Sequence, residues 1–284
     1  MNRARHTAFE LFLFRTGHLF VENPAFLVAF AVRFLFALRF GITELSESRI
    51  GAMRIIGRNA AQTLRSFTRG VVPVLVTGII LGYVIHQAGS AAGGTVHVLF
   101  DSLLMARILR DLLPLATALI VAARAGSAIA GEFAAIPAMR IREDARWPRD
   151  RFQWSDSEIY REVTPHVTAT GVTAALFNLI LVACVLAGYV SSDVRGSSPD
   201  IGQALAYASL PGFREPILAG TLRAAACGIL IGLVASGFGI RASEEYASRT
   251  AQMYAFHDAI WESIVTSLIF CFALIGTGIV AQAS

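Results

Sequence analysis

The sequence predicts an all-α membrane protein, with N-terminal amphipathic or interfacial helices followed by about five transmembrane helices. Three observations carry that reading. Of the 284 residues, 55% are hydrophobic and only 15% charged, well under the roughly 25% of a soluble domain. The apolar residues gather in blocks approaching the ~20 residues that cross a bilayer, and mean hydropathy is +0.59. The basic residues, all arginine, collect between alternate blocks, as in loops on the cytoplasmic side. A soluble all-helical enzyme is the alternative, and the block lengths weigh against it. The net charge of +4 comes without a basic face interleaved with aromatics, so nucleic-acid binding is not expected.

Residues 1–48 read as an amphipathic and interfacial region. Phe9, Phe12, Leu13 and Phe20 stand among Arg, His and Glu, the pattern of a surface helix. Arg3 and Arg5 precede an apolar run, Leu11 to Phe14, too short for a cleavable signal, and none is expected. Pro24 to Phe40 is apolar but holds Arg33 and Arg39. That favours an interfacial helix with snorkelling arginines over a spanning one. Ile50 to Arg69 carries Arg54, Arg58, Arg65 and Arg69 and reads as a basic cytoplasmic lead-in helix that runs into the membrane.

Val71 to His86 is the first clear span. Its Gly78 and Gly82 form a small-xxx-small pair, which serves close helix packing or is merely tolerated. Ala88 to Gly94 is an uncharged outer loop. The return from Val96 to Glu132 is long for one span, and Pro114 is expected to kink it or divide it in two. Arg140 to Glu162 is the most charged stretch, and it places a connector, residues 133–165, in the cytoplasm. Val167 to Tyr189 leads out and Val190 to Glu215 is an outer loop. Ile217 to Ile240 returns, with Arg223 early in the helix. Arg241 to Arg249 is a short inner loop, and His257 to Val280 is the last span, leaving the C-terminus outside.

Enzyme chemistry finds no support. There is no P-loop, no G-x-G-x-x-G opening a helix and no H-E-x-x-H. Cys184, Cys227 and Cys271 are far apart in apolar blocks and read as buried small hydrophobes. His86, His97, His166 and His257 lie near membrane boundaries, where a wet imidazole needs no special role. No catalytic or metal-binding residue is expected. What stands out is Leu109 to Phe133, an apolar stretch that keeps Arg110, Asp111, Arg124 and Glu132, although charge in lipid is expensive. Arg107 and Asp111 are four apart and can pair on one face, with Arg110 facing elsewhere. These charges either pair for structure or line a polar seam at a subunit interface or substrate cavity. The residues alone leave both readings open.

The string Arg110-Asp111-Leu112-Leu113-Pro114, then Ala122-Ala123-Arg124-Ala125-Gly126-Ser127-Ala128, then Gly131-Glu132 resembles the signature of MlaE/YrbE-type permeases. That pattern is approximately R-E-L-G-P, A-G-R-x-G-S-A, then A-E before a cytoplasmic coupling element. TGIILGYVIHQAG resembles the Gly-rich first span, and the resemblance runs from about Pro24 to the C-terminus. Asp111 stands in place of Glu, and Leu113 and Ala123 in place of Gly. FAAIPAMRIREDARWPRD follows Glu132 where a T-E-Q-I-D-A-L-like sequence is usual.

The resemblance implies an MlaE-type permease domain over residues 49–284, a non-catalytic subunit of an ABC transporter in the bacterial inner membrane. It implies ATP-driven movement of lipid, with phospholipid as the substrate class. The implied partners are a cytoplasmic ABC ATPase subunit, an MCE-domain periplasmic protein, and a second permease chain, identical or a paralogue. This chain would bind no cofactor, ATP and Mg belonging to the ATPase. Substrate-path residues would be Gly78, Gly82, Tyr83, Gln87, Arg107, Arg110 and Asp111. ATPase-coupling residues would be Arg124, Glu132, Arg140, Arg142 and Glu143. An ion- or proton-coupled secondary transporter and a non-transporting scaffold are the alternatives; the first needs internal repeats, and none is seen.

Overall fold

A computed structural model of the chain describes residues 23–47, 49–91, 104–143, 154–193, 208–245 and 249–283. Nearly all of them are helical, with no strand among them. Helix α1 is Asn23–Glu47 and α2 is Arg49–Ala91. A composite rod follows: a π-turn Ile108–Leu112, α3 Leu113–Val121, a second π-turn Ala122–Gly126, and α4 Ser127–Glu143. The remaining helices are α5 Asp156–Asp193, α6 Pro211–Glu245 and α7 Arg249–Ala283. Five segments are long and apolar enough to cross a membrane: Ile56–Ala88, Leu104–Ile136, Asp156–Val190, Gly212–Glu244 and Phe256–Thr277.

The helices outrun the apolar blocks. The lead-in arginines and the first span form one 43-residue helix, α2. Continuing a helix gains a hydrogen bond per residue where starting one costs, so polar flanks extend the spans into water. Pro114 does not divide the return segment. It sits at the start of α3, and the π-turn before it keeps the helix continuous: the Leu113 N–H bonds the Ile108 carbonyl, five residues back.

Helix α2 packs chiefly on α5, α5 on α6, and α6 on α7, with the rod lying against α6 between α5 and α7. The core joins Leu109, Leu113 and Val121 of the rod to Phe177 and Leu181 of α5 and Ile231 of α6. Helices α2 and α5 meet backbone to backbone. A Cβ at Gly82 would lie 2.6 Å from the Cys184 carbonyl oxygen, and one at Gly188 would lie 2.8 Å from the Gly82 Cα. The small-xxx-small pair therefore serves close approach, the device by which membrane helices gain packing without a hydrophobic drive. Cys227 and Cys271 are buried and Cys184 half-buried, all as free thiols.

Helix α1 crosses one end of this bundle. Its contacts on α6 pair Asn23 with Arg241, Phe26 with Phe238, Phe30 with Gly237 and Arg33 with Glu244. The eleven residues Asn23–Arg33 of α1 thus stay within about two turns of α6, which a helix running alongside it would have overshot. Arg33 is the fastener. It reaches Asp156 at 3.1 Å, Glu244 at 3.8 Å and the Trp154 carbonyl. Trp154 is buried edge-on against Phe133, with its Nε1 donating to Ser243 Oγ at 2.8 Å. Trp154→Phe keeps an aromatic ring but loses that bond and part of the buried bulk, so thermal unfolding in detergent should show a loss of about 1–3 kcal/mol. Trp154→Ala should cost about 3–5 kcal/mol. A Trp154→Phe variant that melts like the wild type would show that the indole bond contributes nothing.

Candidate functional site

Two charged clusters stand at opposite ends of the rod. The first is built on the π-turn Ile108–Leu112. A proline removes the N–H that its helix needs and pushes against the carbonyl four residues back, here that of Arg110. Arg223 of α6 meets that orphan, its Nη1 donating to the Arg110 carbonyl at 3.4 Å and pairing with Asp111 Oδ1. Gly220, one turn before Arg223, lets α6 close onto the Leu109 carbonyl. Arg110 Nε completes the cluster on Asp111 Oδ1 at 3.4 Å. The side chains are largely buried, Asp111 at 14% and Arg223 at 19% exposure. One carboxylate thus faces two guanidiniums inside an apolar bundle, leaving a positive charge in excess.

This corrects the pairing expected from spacing. Asp111 bonds Arg110 and Arg223, while Arg107 is exposed and has no ion pair among the described residues. The i,i+4 rule assumes α-helical phase, and the π-turn shifts that phase by one residue. Gly78 and Gly82 face α5 in the glycine seam. Tyr83 points away from it, exposed, and its hydroxyl accepts from Gln87 Nε2 at 3.0 Å.

The second cluster lies at the arginine-rich end. Glu132 Oε1 pairs with Arg65 of α2 at 3.4 Å and Oε2 with His166 Nε2 of α5 at 3.2 Å. His166 Nδ1 lies 2.7 Å from the Glu162 carbonyl. Each ring nitrogen faces an acceptor oxygen, so filling both contacts takes a proton on each nitrogen, or one on the carboxylate. Arg58 bonds Glu162 Oε1 at 3.4 Å and the Arg161 carbonyl at 3.5 Å. That carbonyl is the one Pro165 deprives of its N–H, so a proline and a guanidinium from another helix are matched here as at Pro114. Glu132 thereby joins the rod to α2 and α5.

Arg124, on the second π-turn, is exposed with no ion pair among the described residues. Arg140, Arg142 and Glu143 lie on α4, but their side chains fall outside the described residues. His97 and residues 144–153 of the connector also lie outside them. No group of three or more His, Cys, Asp or Glu is placed to hold a metal ion among the described residues. Sequence reading did not assign Arg223, His166 or Arg65 to a site. For Arg223 the signal was present, a lone arginine in an apolar span; for His166 it was the preceding helix-interior proline.

A family model described as Permease MlaE matches residues 59–275. No curated protein matches the chain.

Proposed function

The chain belongs to the MlaE permease family, and from that premise we propose that it is the membrane permease subunit of an ATP-driven lipid transporter. It is a multi-pass membrane protein with five candidate spans. The substrate we propose is phospholipid, the membrane the bacterial inner membrane, and the partners a cytoplasmic ABC ATPase, a second permease chain and an MCE-domain periplasmic protein. ATP and Mg would be held by the ATPase. The observation that carries the reading is the Arg110–Asp111–Arg223 cluster. Charge kept inside an apolar bundle is costly and marks a pathway, and its excess guanidinium suits a phosphate headgroup. Arg107, Tyr83 and Gln87, exposed on the same half of the molecule, complete the proposed path. Gly78 and Gly82 support it from behind by fixing α2.

Energy would enter at the other end. Glu132 is tied to both α2 and α5, so a push there reaches the helices that flank the path. Arg124, Arg140, Arg142 and Glu143 lie along the same end of the rod, as candidates for the ATPase contact. The test is the complex reconstituted in vesicles with its ATPase. Glu132→Ala should slow ATP-dependent lipid movement about tenfold or more, the effect of losing ~1–3 kcal/mol of coupling. Undiminished lipid movement by that variant would remove the coupling role. Failure of the wild-type chain to copurify with any ATPase would remove the transporter reading itself.

A further inference from the structure

The most developed feature without a role lies between α2 and α5 at the arginine-rich end. A cavity of about 210 Å³ is walled by Arg58, Gln62 and Arg65 of α2 and by Arg161, Glu162 and His166 of α5. It holds several times the roughly 30 Å³ of a water molecule. Arg58 gives one N–H to Glu162 and one to a carbonyl, and Arg65 gives one to Glu132. A guanidinium has five donors, so most of those on Arg58 and Arg65 remain open. Their carboxylate contacts are single and long, at 3.4 Å, not the two-pronged fork that would saturate them. Both side chains are at least half exposed, at 50% and 58%.

The same face of α2 continues as an apolar stripe. Steps of three and four residues lead from Arg58 through Gln62, Arg65, Arg69, Val72, Val76, Ile79 and Tyr83, and such residues are neighbours on a helix. Val72, Val76, Ile79, Ile80 and Tyr83 are each more than half exposed. Arg65 stands six residues before the apolar run that opens at Val71, about 9 Å along the axis. That is headgroup depth, with hydrocarbon depth following on the same side. Guanidiniums around a cavity, then bare apolar surface, match the order of groups in one amphiphile.

We infer that this cavity binds the phosphate of an anionic phospholipid, whose acyl chain lies along the Val72–Tyr83 stripe. Basic pockets between membrane helices take such headgroups by charge and hydrogen bonding. The inference deepens the lipid reading above by naming an entry or exit point at the end opposite the Arg110–Asp111–Arg223 cluster.

The test uses the full chain in detergent, titrated with fluorescent-tailed phosphatidylglycerol. Arg58→Gln with Arg65→Gln should weaken binding about tenfold or more, the loss of charge-assisted hydrogen bonds. Arg58→Lys with Arg65→Lys should retain most of it. On the wild-type chain, photoactivatable phosphatidylglycerol should attach within residues 58–83 of α2, a readout independent of any variant's folding. Four results would overturn the inference: unchanged affinity in the Gln variant, attachment elsewhere, equal binding of phosphatidylcholine, or full displacement of the lipid by millimolar inorganic phosphate, which would mark a free-phosphate site. Loss of self-association without loss of lipid binding in Val76→Asp would assign the stripe to a second copy and also overturn it. The two readings fail separately. If the assembled complex moves lipid while the Gln variant binds it normally, this site falls and the permease stands; if the site binds lipid and no ATPase copurifies, the reverse holds.

Discussion

Gly188→Ala is expected to destabilise the protein by about 2–3 kcal/mol, a large effect for one methyl group. The new Cβ would meet the carbonyl carbon of Gly82 at 2.6 Å and its Cα at 2.8 Å. These are backbone atoms on the facing helix, so no side chain can swing aside and α2 must back away from α5. Alanine favours a helix over glycine by about 1 kcal/mol, which offsets part of the cost and does not reverse it. Only 17% of the most apolar stretch of α2 is buried, and α5 is its main support, so retreat sacrifices most of its packing. Gly57→Ala is the internal control: nothing lies within 4 Å of its Cβ, and there the same change should stabilise slightly. Thermal unfolding of both variants in detergent decides the matter. If Gly188→Ala melts no lower than Gly57→Ala, the helices do not touch as described.

The second large effect is expected at Asp111. Asp111→Ala leaves Arg223 and Arg110 facing each other, largely buried, with their shared carboxylate gone. Breaking a buried pair in this way costs about 3–5 kcal/mol, because the surviving charge has no partner. Removing both members is different, since an apolar pair of similar volume is often neutral. Asp111→Leu with Arg223→Leu should therefore recover most of the melting temperature, while Arg110 snorkels outward. Transport separates structure from function. A double variant that folds and moves no lipid places the cluster on the path. One that folds and transports like the wild type reduces it to a helix fastener.

Much of this architecture was legible from composition and blocks. Apolar lengths gave the spans, the arginine asymmetry gave their common end, and Gly78 with Gly82 gave the α2 seam. The partner of that seam was not legible, because Gly188 sits among other small residues with no spacing to single it out. The charged rod was visible as an anomaly at Arg110, Asp111 and Glu132, yet its pairings were not. Arg223 lies 112 residues from Asp111 and His166 lies 34 from Glu132, and no local rule links such positions. The π-turns defeated the one pairing that spacing did propose. Several span ends were placed short of the polar flanks into which the helices run, because hydropathy marks where lipid stops, whereas hydrogen bonding decides where a helix stops.

The paired prolines and arginines also bear on the order in which the protein can be made. A helix entering a membrane alone must satisfy its own backbone, and each of these prolines leaves one carbonyl that its helix cannot serve. For the Arg161 carbonyl the donor is Arg58, on a helix already synthesised when α5 emerges. For the Arg110 carbonyl the donor is Arg223, more than a hundred residues still to come. The rod is thus an incomplete piece at birth, holding an open acceptor, and a carboxylate paired only with its neighbour Arg110, until α6 arrives. Biogenesis of this chain has a built-in waiting step, and α6 is the segment that ends it.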